Sequence, residues 1–265
     1  MLVSDRNMKL TIFEAVNHVI TSSDIVLCVL DSRFISETRN LYLESVIKAQ
    51  NKKIIYILNK ADLTRNINQK ELDNISPYVI VSCKTRRGAR ELRDRIKIIS
   101  RQLKKTSPVY IGVIGYPNTG KSSVINLILG RKEIARTSPE SGFTRGIQSL
   151  RLSESVYLLD SPGIIPLAEM STEIVKLAKI GVSTFDRAKD PGLVVYELMK
   201  QHPGLFEKFY GIYTQGDSEM LLEELGRKNG MLLKKGEIDV ERAARVILKD
   251  WQKGNIKARN KKIKV

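Results

Sequence analysis

The stretch GYPNTGKSS, residues 115–123, constrains the fold more than any other feature of the chain. It follows the apolar run VYIGVIG (109–115) and opens the amphipathic run SSVINLIL, and it fits G-x-x-x-x-G-K-[ST]. Its glycines let the backbone N–H groups of residues 118–123 converge on one point at the start of a helix, where the helix dipole also favours an anion. Such a loop functions only between a strand and a helix. The residues around it must therefore build an α/β layer.

The rest of the chain agrees. Apolar strand candidates are DIVLCVLD (24–31), KIIYILN (53–59), YVIVS (78–82), VYIGVIG (109–115), IQSLRL (147–152) and VYLLD (156–160). Helical stretches separate them; Leu92, Ile96, Ile99 and Leu103 recur on one helical face within 89–105. KTSP at 105–108 breaks the chain before the next strand. The expected fold is a doubly wound, mostly parallel α/β sheet. After Pro166 the strand pattern stops, and helices are expected around 172–180, at 193–199, at 219–225 and at 239–253. A boundary near 165–168 divides the chain into an α/β domain, 1–166, and a smaller all-α C-terminal domain with a basic tail, 167–265.

Composition narrows the classes. The chain has 265 residues, 42% hydrophobic and 28% charged, enough for one large core or two smaller ones. The longest clean apolar run, IVLCVL at 25–30, is too short to span a bilayer, and MLVSDRNMK carries no hydrophobic signal region. A cytoplasmic monomer with no membrane partner is expected. Two cysteines and two histidines argue against a disulfide framework and against structural zinc. The net charge of +16 points to an anionic partner, nucleic acid above all, or to a lysine-rich surface kept for solubility.

The motifs specify the chemistry. In the phosphate loop Asn118, Thr119, Gly120, Lys121, Ser122 and Ser123 are expected around a nucleotide, with Lys121 neutralising the β- and γ-phosphates and the Ser122 hydroxyl ligating Mg²⁺. Asn59-Lys60-Ala61-Asp62 follows a strand end, where nucleotide sites of such sheets lie. The Asp62 carboxylate can accept two parallel hydrogen bonds from guanine N1–H and its 2-amino group, a donor pair adenine lacks. The Lys60 stem can pack along the base, and Asn59 can brace neighbouring loops. Ser82-Cys83-Lys84 ends the third strand, where a backbone N–H can donate to guanine O6. Asp160-Ser161-Pro162-Gly163 ends the sixth, where Asp160 can hold Mg²⁺ through water and the Gly163 N–H can meet the γ-phosphate. Thr144, in SGFTRG, is the expected switch threonine on Mg²⁺, with Thr137 the alternative.

The order NKAD, SCK, GYPNTGKSS, SGFT, DSPG, continuing into KNGMLLKKGEIDVERAARVILKDWQKG, resembles the circularly permuted GTPases of the YlqF/RbgA ribosome-assembly family. The likeness runs from about residue 20 to about residue 255. It implies a GTPase with guanine nucleotide, Mg²⁺ and K⁺ as cofactors, Asn118 matching the asparagine that holds K⁺ in similar GTPases. Permutation preserves the sheet, because its contacts are spatial, and it leads the Gly163 switch directly into the helical domain. The family's N-terminal Phe-Pro-Gly-His-Met segment has no counterpart in MLVSDRNMKL. His18 points away from the face marked by Phe13, Val16 and Ile20, and His202 reads as a surface loop residue. Ile164 follows DSPG where many small GTPases place a water-orienting glutamine, so slow intrinsic hydrolysis is expected.

The partner implied is the large ribosomal subunit or its precursor, through rRNA; the alternative is a GTP-dependent factor acting on another RNA such as tRNA. No second active site with paired carboxylates, a nucleophile and base, or metal-ligand spacing is visible, which disfavours the alternative. From residue 240 onward nine Lys or Arg stand against two acids, a net of +7. On the last helix Val240, Ala244, Ile247 and Trp251 form an apolar stripe, while Arg242, Arg245, Lys249 and Lys253 share another face, the footprint of a phosphate-tracking RNA contact.

Overall fold

Strand β1 (Ile25–Asp31) has no polar face: all seven residues are buried. In the computed structural model, which describes residues 12–64, 67, 69–130, 148–161, 180–181, 185, 188 and 190–257, both faces of this strand are covered by helices. Ile25, Leu27 and Val29 share a core with Leu92, Ile96, Ile99, Val124, Ile125 and Ile128, on helices α5 (Ala89–Gln102) and α6 (Lys121–Leu129). Val26, Cys28 and Leu30 point the other way, toward Val16, Val19, Ile20, Leu43 and Ile47 of helices α1 (Ile12–Ser22) and α3 (Leu41–Ala49). Burial on both faces explains a continuous apolar run in place of alternation. The short helices α2 (Ile35–Thr38) and α4 (Gln69–Asp73) complete this layer.

Beside β1 run β2 (Lys53–Asn59), β3 (Tyr78–Ile80), β4 (Val109–Gly115), β5 (Gln148–Ser153) and β6 (Val156–Asp160). The six strands are ordered β3-β2-β1-β4-β6-β5, all parallel except the antiparallel edge pair β5–β6. The α/β fold expected from the sequence is therefore present, with elements trimmed at their ends: β3 stops at Ile80 and α5 at Gln102. Register places Asp31 opposite Asn59, Val29 opposite Gly115 and Val113 opposite Asp160. Every sequence motif on a strand thus ends at the same, C-terminal, edge of the sheet.

Four further helices pack together: α7 (Pro191–Gln201), α8 (Leu205–Tyr210), α9 (Ser218–Lys228) and α10 (Val240–Lys253). Three begin on an aspartate whose carboxylate accepts from the main-chain N–H of the third helical residue, Asp190 from Leu193, Asp217 from Met220 and Asp239 from Arg242. Each such cap is worth about 1 kcal/mol. The helical segment expected around 172–180 lies outside the described residues apart from Ile180, which joins this core.

The helical core closes on Trp251, with the rings of His202, Phe206 and Phe34 at centroid distances of 5.1, 5.6 and 5.9 Å. Two expectations are corrected here. His202 is no surface loop residue; it ends α7 half-buried against the indole, a tertiary contact invisible in KQHPG. Val240 is 42% exposed, and Ala243 and Leu248 take its place in the buried stripe, because the first turn of α10 projects past the core. Phe34 and Tyr116 belong to this core although they extend from the ends of β1 and β4. The helices are therefore packed onto the C-terminal edge of the sheet. Phe34→Ala should lower stability by about 3–5 kcal/mol in urea denaturation followed by Trp251 emission; a loss below about 1 kcal/mol would mean the two layers are not held together there.

Candidate nucleotide site

The phosphate loop forms the strand–turn–helix expected of it. Gly120 has φ +95°, and a Cβ there would collide with the Asn59 side-chain amide, so this position needs glycine for space as well as for conformation. The Tyr116 carbonyl accepts from both Thr119 Oγ1 (2.9 Å) and Lys121 Nζ (2.9 Å). Asn118, at φ +61°, donates through Nδ2 to the Gly181 carbonyl (2.5 Å). The nitrogen of its amide is thus engaged with the Gly181 carbonyl.

The NKAD segment lies against this loop. Asn59 Nδ2 donates to Thr119 O (2.9 Å), and its Oδ1 accepts from Cys83 N (3.4 Å). One buried side chain thus joins phosphate loop, NKAD turn and the end of β3. The turn itself is a 3₁₀ segment, Ala61–Leu63, entered through Lys60 in the left-handed region at φ +62°. Ala61 N donates to Val81 O (3.1 Å), and Ser82 Oγ donates to Asp62 Oδ1 (2.6 Å) while accepting from Thr85 N (3.2 Å). The Asp62 carboxylate is held in place by this hydroxyl. Ser82 N and Cys83 N are committed within the protein, to Arg87 O and to Asn59.

Near the phosphate loop two charges share a buried setting. Burial lowers the Lys121 ammonium to about 8 against the opposing pull of Asp160. Burial also raises the Asp160 carboxyl to about 6, opposed by Lys121, the Ser122 hydroxyl and the Ser161 amide. Ser122 Oγ lies 3.4 Å from Asp160 Oδ2, and Asp160 Oδ1 is buried without a hydrogen-bond partner. A hydroxyl and an orphaned carboxylate oxygen are the donor set of a hard divalent cation that keeps its remaining positions for phosphate and water. No cluster of three His, Cys, Asp or Glu side chains suited to a metal occurs among the described residues. Thr144, Thr137, Gly163 and Ile164 lie outside the described residues.

Two features escape a motif reading. Asp31, the last residue of β1, is buried with Lys60 Nζ at 2.8 Å and Arg33 Nη2 at 2.8 Å from its Oδ2. Burial alone would raise its carboxyl, but the Lys60 and Arg33 charges outweigh it and hold Asp31 well below the usual carboxylate range. The D-x-R spacing at a strand end was the available signal. The second feature is charge on α5 and its entry loop: residues 84–105 carry ten Lys or Arg against Glu91 and Asp94, a net of +8. Lys84, Arg86, Arg87, Arg90, Lys97 and Arg101 are exposed. On α10, Arg242, Lys249 and Lys253 are exposed as expected, but Arg245 is engaged, with Glu241 in an ion pair and with the Phe185 carbonyl at 2.9 Å.

Two outcomes test this geometry. Asn59→Ala removes both bonds and leaves Thr119 O unpaired, so GDP affinity should fall at least about tenfold, the equivalent of a lost buried hydrogen bond near 1.4 kcal/mol; wild-type affinity in calorimetry would mean the loops hold each other without it. The raised Asp160 carboxyl stabilises the ligand-free protein at acid pH, an effect lost as pH rises through about 6. Between pH 4 and 7 ligand-free wild type should therefore lose up to about 3 kcal/mol relative to Asp160→Asn, and parallel stability curves would contradict the assignment.

Comparison with known proteins agrees with this geometry. Residues 110–201 match the family described as 50S ribosome-binding GTPase. The uncharacterized GTP-binding protein MJ1464 of Methanocaldococcus jannaschii is 34% identical over 254 residues, 95% of this chain and 67% of its own length. Nucleolar GTP-binding protein 2 of Neurospora crassa is 34% identical over 247 residues, which cover 90% of this chain and 40% of that protein. The chain thus spans two thirds of the first relative and less than half of the second. Among solved structures, TM YlqF in its GDP-bound form shares the fold, with a TM-score of 0.60 over 92% of this chain and 96% of that one at 23% identity. With a phosphate loop that follows its NKAD motif in sequence yet meets it in space, the chain belongs to the circularly permuted GTPases of the YlqF/RbgA family.

Proposed function

We propose that this protein is a GTP-binding and GTP-hydrolysing switch that acts in assembly of the large ribosomal subunit through contact with rRNA. The observation that carries the reading is the Asn59 bridge, which brings a phosphate loop and a guanine-type base reader together at one sheet edge. Asp62, oriented by Ser82, accepts from guanine N1–H and the 2-amino group; the Lys60 stem lies along the base; the Lys84 amide serves O6, since those of Ser82 and Cys83 are committed. Loop amides from Asn118 to Ser123 and the Lys121 ammonium bind the phosphates. The Ser122 hydroxyl, the Thr144 hydroxyl and, through water, Asp160 would hold Mg²⁺, which would supply positive charge at the phosphates, while the Gly163 N–H would donate to the γ-phosphate. Asn118 Oδ1 would be the ligand for K⁺. Residues 1–166 form the nucleotide-hydrolysing part and residues 167–265 the helical part that senses it.

The ribosomal assignment draws on the matched family's description and on relatives called nucleolar, and the charge distribution supports it. Two exposed basic faces, on α5 and α10, suit a phosphate backbone, whose neutralisation by Lys and Arg releases counterions and makes binding steeply salt-dependent. The described residues contain no helix long and apolar enough to cross a membrane.

Sedimentation with large-subunit particles tests the reading. The GTP-analogue form should cosediment at moderate salt and the GDP form much less. Arg242, Lys249 and Lys253 changed together to Glu should reduce cosedimentation at least about tenfold with GDP affinity unchanged; Arg245 is left intact because it supports α10. Equal sedimentation of the triple variant would move the RNA contact elsewhere.

A further inference from the structure

The buried carboxylate of Asp31 has no place among the nucleotide contacts above, yet it is the most heavily engaged side chain at the sheet edge. Oδ1 accepts from Arg33 N (3.0 Å) and Arg33 Nε (3.0 Å), and Oδ2 from Arg33 Nη2 (2.8 Å) and Lys60 Nζ (2.8 Å). Its main-chain N–H is fixed in turn by Thr38 Oγ1 (3.1 Å). Both basic side chains converge on a carboxylate only 1% exposed.

The two cations lead in different directions. Lys60 belongs to the NKAD turn, and its ammonium is anchored on Asp31. Arg33 reaches away from the sheet: its remaining terminal nitrogen, Nη1, donates to the Trp251 carbonyl at 3.1 Å, 218 residues along the chain. That carbonyl is in the last turn of α10, where it also accepts from Gly254 N (3.0 Å) and where the negative end of the dipole favours a guanidinium. A second contact reinforces the first. Gly254, the residue that ends α10 at φ +74°, packs so closely on Leu63 that any Cβ would overlap that side chain, and Leu63 directly follows Asp62. Phe34, next to Arg33, completes the aromatic cage around Trp251.

We propose that Asp31 is a positioning residue for guanine-nucleotide binding, and that Arg33 passes the state of the base-reading turn to the C-terminal end of α10. The proposal rests on the guanine-site reading above. In physical terms, a base lying along the Lys60 stem fixes the ammonium, the ammonium shares Asp31 with Arg33, and the Arg33 fork sets where the last turn of α10 sits. A planar fork is needed for this. Three of its nitrogens bind two partners on opposite sides at once, which a lysine ammonium at the same position cannot do.

The chain carries its own reporter, since Trp251 is its one tryptophan. Binding of GDP to the full-length protein should change Trp251 emission. Asp31→Asn keeps the shape and removes the charge; GDP affinity should fall at least tenfold, and the emission change should shrink with it. Arg33→Lys keeps a cation beside Asp31 but cannot also reach Trp251 O. GDP affinity should stay within threefold of wild type, while the emission change on binding falls by more than half. Should Asp31→Asn fold too poorly to assay, Asp31→Glu, which advances the same charge by one methylene, should give the same affinity loss to a lesser degree, severalfold. If the Asp31 variants bind GDP like wild type while Asp62→Asn does not, Asp31 has no positioning role and the guanine reading stands. If Arg33→Lys retains the full emission change, the link to α10 is overturned. If the wild-type protein binds ADP as well as GDP, the guanine reading fails and this proposal fails with it.

Discussion

The side-chain amide of Asn59 is the constraint on which the rest of the site depends. Its nitrogen binds the phosphate loop at Thr119 O, its oxygen meets the Cys83 amide at the end of β3, and its backbone belongs to the turn that carries Asp62. A buried amide satisfied on both ends has little freedom to shift, because an unpaired polar group in that place costs roughly 1–3 kcal/mol. Three loops far apart in sequence are therefore kept in one register. Gly120 is the other half of the same fit: only a residue without a Cβ lets the phosphate loop approach this amide so closely.

That bridge also explains why reordering the chain is tolerated. In the sheet β1 sits between β2 and β4, so the strand before the phosphate loop and the strand before the base reader each flank the same central strand. Nothing in these pairings depends on which strand is synthesised first. Chain order decides instead which segment continues from the last strand. Here β6 ends at Asp160, and the described helices that come later in sequence return to the same sheet edge through Phe34 and Tyr116.

Much of this was legible in the sequence because it depends on local spacing. The phosphate loop announces itself by two glycines and a lysine at fixed separation, and β1, β2 and β4 by mostly apolar stretches bounded by turn formers. The base reader could be recognised because Asn59, Lys60 and Asp62 adjoin a strand end. Asp31 was hardly legible: beyond its D-x-R spacing with Arg33, an acid closing an apolar strand has no periodic signature, and its meaning comes from Lys60 and from a helix more than two hundred residues away. Val240 and His202 were misjudged for the same reason. A helical wheel treats every turn as equally covered, whereas the first turn of α10 extends beyond its neighbours, and a histidine beside a proline is buried only if an indole happens to lie over it. The basic surface of α5 was dispersed among buried positions in sequence and became a face only when the helix was wound.

The crowded electrostatics beside Ser122 have a consequence for the protein's lifetime. A lysine and an aspartate both displaced by burial, the aspartate with an unpartnered oxygen, are a standing cost to the fold. A guanine nucleotide that binds the folded chain alone offsets that cost, and at a hundred times its dissociation constant it adds about 2.7 kcal/mol to stability. The fraction of molecules unfolded at any moment then follows the guanine nucleotide supply.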